Sequence, residues 1–391
     1  MQRGIATFTL DYGKCPPWLF ERMVKLGREM TQVLIAEYGP DEFIKRISNP
    51  VWFQSLGTVL AFDWNASGLT TILTAALKES IRGQEKDLGI FICGGKGKTS
   101  RKTPDEISDW SEKINLDVKT SNSLVYNSRM SAKVDSSLLQ DGYQIYHHSF
   151  FFSKNGSWAV VQQGMNTGNQ TARRYHWFSD DVEDLVEEPH SGIASQLILP
   201  QTLDLTSSKS NKNRDVSVEL LDSGIDQLTR DLEILSAHSS DLSKMIQMKL
   251  NGEDLTLLKL EDKNFTTHPV LNEDFANSKY LKKILAKLCE VKPETYEQFL
   301  SMEGVGPKTV RALSLVSEVI YGAKPSYEDP ARYSFAHGGK DEIPYPVDKE
   351  TYDQTINILQ DAVQKSKISP VEKDQALRRL TQNSNHSTHQ N

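Results

Sequence analysis

Two glycines one residue apart, Gly304 and Gly306, interrupt a stretch with helical spacing on both sides. Before them, Tyr296, Phe299 and Leu300 share one helical face. After them, Ala312, Leu313, Val316, Val319 and Ile320 do the same. Pro307 follows at once, where a helix tolerates proline because its first N–H groups lack partners anyway. The pattern predicts two helices joined by a Gly-Val-Gly turn at about 293–321. Glycine adopts backbone angles that other residues resist, and it leaves neighbouring amides unshielded. The second helix would then aim its free N–H groups and positive dipole end past the turn, an arrangement that suits an anion.

Val305 is expected to plug the space between the helices, with Lys308 and Thr309 adding a charge and a hydroxyl at the anion. This run resembles the helix-hairpin-helix family, whose members bind DNA without reading its sequence. The resemblance implies that Gly304, Val305, Gly306, Lys308 and Thr309 form a DNA-backbone contact. The same run also suits a tight turn between packed helices with no ligand, or a protein contact. The net charge is −7, so any nucleic-acid contact is local rather than a general basic coat.

Some DNA glycosylases carry a lysine within such a hairpin and an aspartate about twenty residues on. Lys308 and Asp329 stand near those places. The spacing and sequence context of Asp329 depart from that pattern, and phosphate contact accounts for Lys308 equally well.

From Tyr143 to Phe178 the period changes to that of strands. Asn155-Gly156 predicts a two-residue hairpin turn. Such a turn sets Phe152 opposite Ala159, Phe150 opposite Val161, Ser149 opposite Gln162 and His148 opposite Gln163. A third strand is expected at Ala172–Phe178. His148 and Gln163 then extend the face of Phe150, Phe152, Ala159 and Val161, and His147 and Gln162 lie on the other. Lys133, Asp135 and Asp141 lie upstream, and Arg173, Arg174 and His176 downstream. Converging on one sheet, such groups can bind a phosphodiester, and histidine moves protons near neutral pH. Lys133, Asp135, Asp141, His147, His148, Gln163, Arg173, Arg174 and His176 are therefore the candidate catalytic set of a nuclease-like or repair enzyme. A nuclease would bring Mg²⁺ as cofactor, with Asp63 as a candidate ligand. The competing reading is a polar sheet edge with satisfied histidines.

Two further local signals stand out. Gly94-Gly95-Lys96-Gly97-Lys98-Thr99 lacks the spacing of a P-loop and reads as a basic, glycine-rich loop. Thr103-Pro104-Asp105-Glu106 reads as a capping box that opens a helix.

The expected architecture is α+β. A mixed domain over 1–205 with an antiparallel β-meander precedes a polar linker at 206–215. A helical DNA-binding domain follows over 216–375, and then a disordered tail at 376–391. A short strand is expected at Ile5–Leu10. Three scattered cysteines form no CxxC pair, no apolar run has membrane length, and the N-terminus lacks a signal-peptide pattern. The expected location is the cytoplasm, with DNA as partner and no membrane.

Several runs are familiar together: Ala61–Trp64, Ser131–Asp135, Leu139–Gln144, Ala159–Met165, Ala172–Trp177, Glu188–His190 and Asp329–Asp341. With the glycine turn, they make the chain resemble an archaeal and bacterial family known as domain of unknown function 763. The resemblance spans about residues 1–375 and implies no activity.

Overall fold

The computed structural model describes residues 10, 15–60, 66–238, 245–250, 253–259, 275, 278–331 and 349–384. In chain order the elements begin with α1 (Pro17–Tyr38), α2 (Pro40–Ser48), α3 (Pro50–Val59), α4 (Ala66–Ser80), α5 (Glu85–Leu88), β1 (Ile90–Lys96), α6 (Thr103–Lys113) and α7 (Val118–Ser137). Then come β2 (Leu139–Gln140), β3 (Gln144–Ser153), β4 (Trp158–Asn166), β5 (Thr171–Phe178), β6 (His190–Ser195), β7 (Leu203–Asp204), α8 (Asn211–Asp222) and α9 (Ile225–His238). The chain continues with β8 (Met245–Leu250), β9 (Glu253–Lys259), α10 (Lys279–Val291), α11 (Tyr296–Ser301), α12 (Pro307–Val319), α13 (Lys349–Lys365) and α14 (Pro370–Ser384). Among the described residues no helix is long and apolar enough to cross a membrane. The strand expected at Ile5–Leu10, Leu10 excepted, lies outside the described residues, as does Asp63.

The fold is mixed α+β. Five antiparallel strands form one sheet in the order β1-β3-β4-β5-β6, so the expected meander gains a strand on each edge. Both faces of the sheet are covered. One buries Phe91, Phe150, Phe152, Trp158, Val160 and Trp177 in a core shared with α6, α7, α8, α10, α11 and α12. The other buries Ile90, Ile92, Phe151, Ala159, Val161 and Phe178 against α1 to α4. This explains why β5 has no exposed residue: alternate side chains enter two different cores.

The β3–β4 register differs from the expected one by a residue. Ser153 N donates to Ser157 O at 2.9 Å, leaving Lys154, Asn155 and Gly156 as a three-residue loop. Gly156 closes it at φ +93°, the left-handed region that such loops require. Phe152 therefore lies opposite Trp158, Phe150 opposite Val160, His148 opposite Gln162 and His147 opposite Gln163. Because side chains alternate, one extra loop residue sends Ala159, Val161 and Gln163 to the other face.

The stretch at 206–215 is built into the fold rather than being an exposed linker. Thr206, Ser210, Asn213 and Arg214 are buried. Asn213 Nδ2 donates to Ser314 O at 3.0 Å and Ala323 O at 2.6 Å, and Arg214 Nη1 donates to Leu205 O at 2.6 Å. Polar side chains here satisfy loop and helix-end carbonyls, a role that composition does not reveal. The end of the chain also differs from the reading as a tail. α14 runs to Ser384, with Ala376 buried and Arg379 Nη1 donating to Val59 O at 3.0 Å. Leu359, Ala362 and Val363 of α13 join the same core as α1 to α4, so the last helices return to the N-terminal layer.

Candidate nucleic-acid interface

The Gly-Val-Gly turn joins α11 to α12. Thr295 caps α11 by accepting from Gln298 N at 3.1 Å. The two glycines serve different needs. Gly304 has φ +91°, and a Cβ there would lie 2.4 Å from Ile284 Cδ1 of α10. Its carbonyl accepts from Tyr280 Oη at 3.0 Å. Gly306 is extended at φ −153°, and a Cβ there would meet nothing within 4 Å. Gly306 is the N-cap of α12 and offers no side-chain cap. The first turn of α12 thus opens beside free space with no side-chain acceptor from its N-cap residue.

Val305 is buried in the core that α10, α11 and α12 share. Lys308 is half-buried, with Nζ 5.7 Å from the centroid of the Phe275 ring. Thr309 is only 1% exposed, so it does not present its hydroxyl beside the turn. That corrects the role expected for it: it belongs to the core under the first turn of α12.

Residues of α7 and β2 also brace the turn. Lys133 Nζ donates to Met302 O at 2.6 Å, and Gln140 Nε2 donates to Pro307 O at 3.1 Å. Tyr126 Oη donates to Glu297 Oε1 at 2.6 Å. Partial burial pulls the Lys133 ammonium below its ordinary pKa. Lys133 therefore supports the turn rather than joining the polar groups of the sheet.

Those polar groups lie on two faces. On the face toward α7, Asp135 accepts from Gln162 Nε2 at 2.5 Å and Trp177 Nε1 at 3.1 Å, and His190 Nε2 lies 2.6 Å from it. His148 Nε2 lies 2.9 Å from Ser128 Oγ. Asp141 accepts from Arg173 Nη1 at 3.0 Å, Tyr175 Oη at 2.7 Å and Tyr143 N at 3.0 Å. Burial raises the Asp141 pKa, and Arg173 and Tyr175 oppose that rise. Arg173 also grips both oxygens of Asp329, at 2.9 and 2.7 Å. Leu199 N and Ala331 N complete the carboxylate's partners at 2.6 and 3.0 Å. Asp329 is thus committed to a buried ion pair with no side-chain exposure, and it makes no contact with Lys308 among the described residues.

On the other face, Arg174 Nε donates to His176 Nε2 at 2.9 Å, and His176 Nδ1 reaches Ile47 O at 3.2 Å. These partners make His176 a neutral ring with its proton on Nδ1. His147 Nε2 lies 3.1 Å from Thr74 Oγ1 and 3.0 Å from Ser149 Oγ. Gln163 Nε2 donates to Ser67 O at 2.9 Å. Burial, more than the neighbouring His148 and Lys96, holds His147 down to about 3. Burial also holds His176 well below its ordinary value and lowers His148.

The sheet therefore brings Asp135, Asp141, His148 and Arg173 together and separates them from His147, Gln163, Arg174 and His176. All eight are buried. Sequence reasoning missed Gln162, Tyr175, Trp177 and His190 as partners of these carboxylates. The correct strand register would have placed Gln162 beside His148. Long-range placement of His190 has no local signal.

The glycine-rich run expected as a loop begins inside β1, where Gly94, Gly95 and Lys96 pair with β3. Gly94 N donates to Glu106 Oε2 at 2.8 Å, and Lys78 Nζ donates to the same oxygen at 2.6 Å. Glu106 therefore does not close the expected capping box. Thr103 is already helical and donates to Ser100 O at 2.7 Å. Among the described residues, no three His, Cys, Asp or Glu side chains gather as a metal site.

No curated protein and no solved structure matches the chain. The family model described as a protein of unknown function, DUF763, matches residues 4–347. The chain belongs to the DUF763 family.

Proposed function

We propose that this protein binds the sugar–phosphate backbone of DNA at the turn between α11 and α12, without reading base sequence. One observation carries the reading: Gly306 borders open space where the first turn of α12 begins without a side-chain cap. A phosphate oxygen at that place would accept from backbone N–H groups and lie at the positive end of the helix dipole. Lys308, one residue beyond Pro307, supplies a cation beside the turn on a chain whose net charge is −7.

The test is fluorescence anisotropy with labelled duplexes of unrelated sequence over a range of salt. The reading expects similar affinity for each duplex and a linear fall of log affinity with log salt. Absence of binding, or strong preference for one sequence, contradicts it.

A second reading, a DNA-processing enzyme, rests on the Asp135–His190 pair. The Asp135 carboxylate is fully enclosed and lies 2.6 Å from His190 Nε2, whose side chain is 7% exposed, so the carboxylate can orient the ring as a proton carrier. Incubating duplex, single-stranded and damaged oligonucleotides with and without Mg²⁺ tests it. Cleavage that is lost in His190→Ala supports the enzyme, and intact substrate throughout leaves binding alone.

A further inference from the structure

α10 lies against the glycine turn. Tyr280 donates to the Gly304 carbonyl, and Ile284 occupies the space that a side chain at Gly304 would need. Tyr280 and Ile284 are four residues apart and share the edge of α10 that meets the turn. Lys279, Lys283 and Lys287 also recur every four residues and flank that edge. All three are exposed. Among the described residues none of them forms a salt bridge, whereas Lys25, Lys78, Lys209 and Lys365 all pair with carboxylates. The first acid on this side of α10 is Glu290, in its last turn. On a chain of net charge −7, a row of three lysines with no salt bridge among the described residues is a local concentration of positive charge.

We infer that Lys279, Lys283 and Lys287 form a track that continues the phosphate contact from the glycine turn along one strand of duplex DNA. This rests on the reading of the turn as a backbone contact. Eight residues of helix span about 12 Å at 1.5 Å per residue. One strand of a duplex presents a phosphate about every 3.4 Å of axis, so the row spans some three or four of them. Only one aromatic ring, Tyr280, is exposed on α10, and its hydroxyl is tied to the turn. A single-strand site would instead use successive aromatic rings on which bases stack. Charge and geometry therefore favour a duplex backbone.

The experiment is a salt titration of duplex binding by the full chain. The triple variant Lys279→Gln, Lys283→Gln, Lys287→Gln is compared with the charge-matched control Lys45→Gln, Lys86→Gln, Lys282→Gln. Lys282 lies on the opposite side of α10 from the turn. Circular dichroism melting establishes that both variants are folded, and all the substituted side chains are exposed. The track predicts that the first variant loses about 2–3 units of the log–log salt slope, at roughly 0.9 per phosphate contact, and the control loses none. Equal slopes in the first variant and the wild type overturn the track. If Gly306→Leu still abolishes binding in that case, the turn contact stands without it. A wild-type chain that binds no duplex overturns both.

Discussion

The Lys133 ammonium donates to the Met302 carbonyl at 2.6 Å, so a residue of α7 holds a turn that lies 169 positions later in the chain. Tyr280 holds the next part of the same turn from α10, through the Gly304 carbonyl. Two helices thus fix the turn and leave Gly306 open. A rigid loop with one open edge is suited to an oxyanion, because its amides need no reordering on binding.

Lys133→Met should therefore loosen the turn. Removing a hydrogen bond from a charged donor costs about 1.5–3 kcal/mol. Urea denaturation should show this loss, and duplex affinity should fall even though Lys133 itself contacts no DNA. Unchanged stability would mean that the bond does not brace the turn.

Gly304 and Gly306 should respond differently to substitution. Gly304→Ala places a side chain in a left-handed conformation, which costs about 1–2 kcal/mol. It also crowds Ile284, and overpacking adds about 1–3 kcal/mol. Gly304→Ala combined with Ile284→Val should recover part of the crowding cost and none of the conformational one. Thermal melting of the three proteins checks this, and equal melting temperatures for Gly304→Ala and wild type would contradict it.

Asp329→Ala should be among the most damaging single changes, since it strips a buried guanidinium of its bidentate partner. Breaking a buried ion pair from one side costs about 3–5 kcal/mol. Asp141 still pairs with Arg173 at 3.0 Å after that change, so Arg173→Met, which strands two buried carboxylates, should cost more than Asp329→Ala. A chemical-denaturation series measures both. The reverse order would show that Arg173 is not what anchors the two carboxylates.

Acid should destabilise the fold through its buried histidines. His147, His148 and His176 all have folded pKa values below the unfolded value of about 6.5. The unfolded chain therefore takes up protons first as pH falls. The stability that neutral burial preserves is complete above about pH 7 and is lost as pH falls below about 6.5. For His147 the loss continues down to the folded value of about 3. Each such group contributes a slope of about 1.4 kcal/mol per pH unit in that window. Burial raises the carboxyls of Asp141 and Asp204, which act in the opposite sense, so a single variant gives the cleaner comparison. Urea midpoints between pH 7 and 5 should fall less steeply in His147→Gln than in the wild type. Identical slopes would mean that His147 is protonated inside the fold.

Local periodicity carried much of the fold. The helices that flank the glycine turn and the strands at 144–178 follow from apolar spacing and glycine or proline punctuation. The register of β3 on β4 did not follow, because Asn155-Gly156 serves a two-residue and a three-residue loop equally well. That single ambiguity put His148 opposite the wrong glutamine, while grouping neighbours such as Arg173 and Arg174 overlooked that consecutive strand residues face opposite sides. Asn213 and Arg214 looked like linker residues because a buried polar side chain and a solvated one are alike in composition. The two helices and the turn between them were legible, but the burial of Thr309 was not, nor was the difference between the steric need at Gly304 and the open space at Gly306.

That open space allows the most direct measurement of the central claim. Gly306 is extended and a side chain there meets nothing, so Gly306→Leu should fold and melt like the wild type. Its leucine would stand where the phosphate is expected. Anisotropy titration with a duplex at low salt should show affinity reduced at least tenfold, in line with the loss of a charge-assisted contact. Wild-type affinity in a folded Gly306→Leu protein would contradict the claim that the turn is where DNA is held.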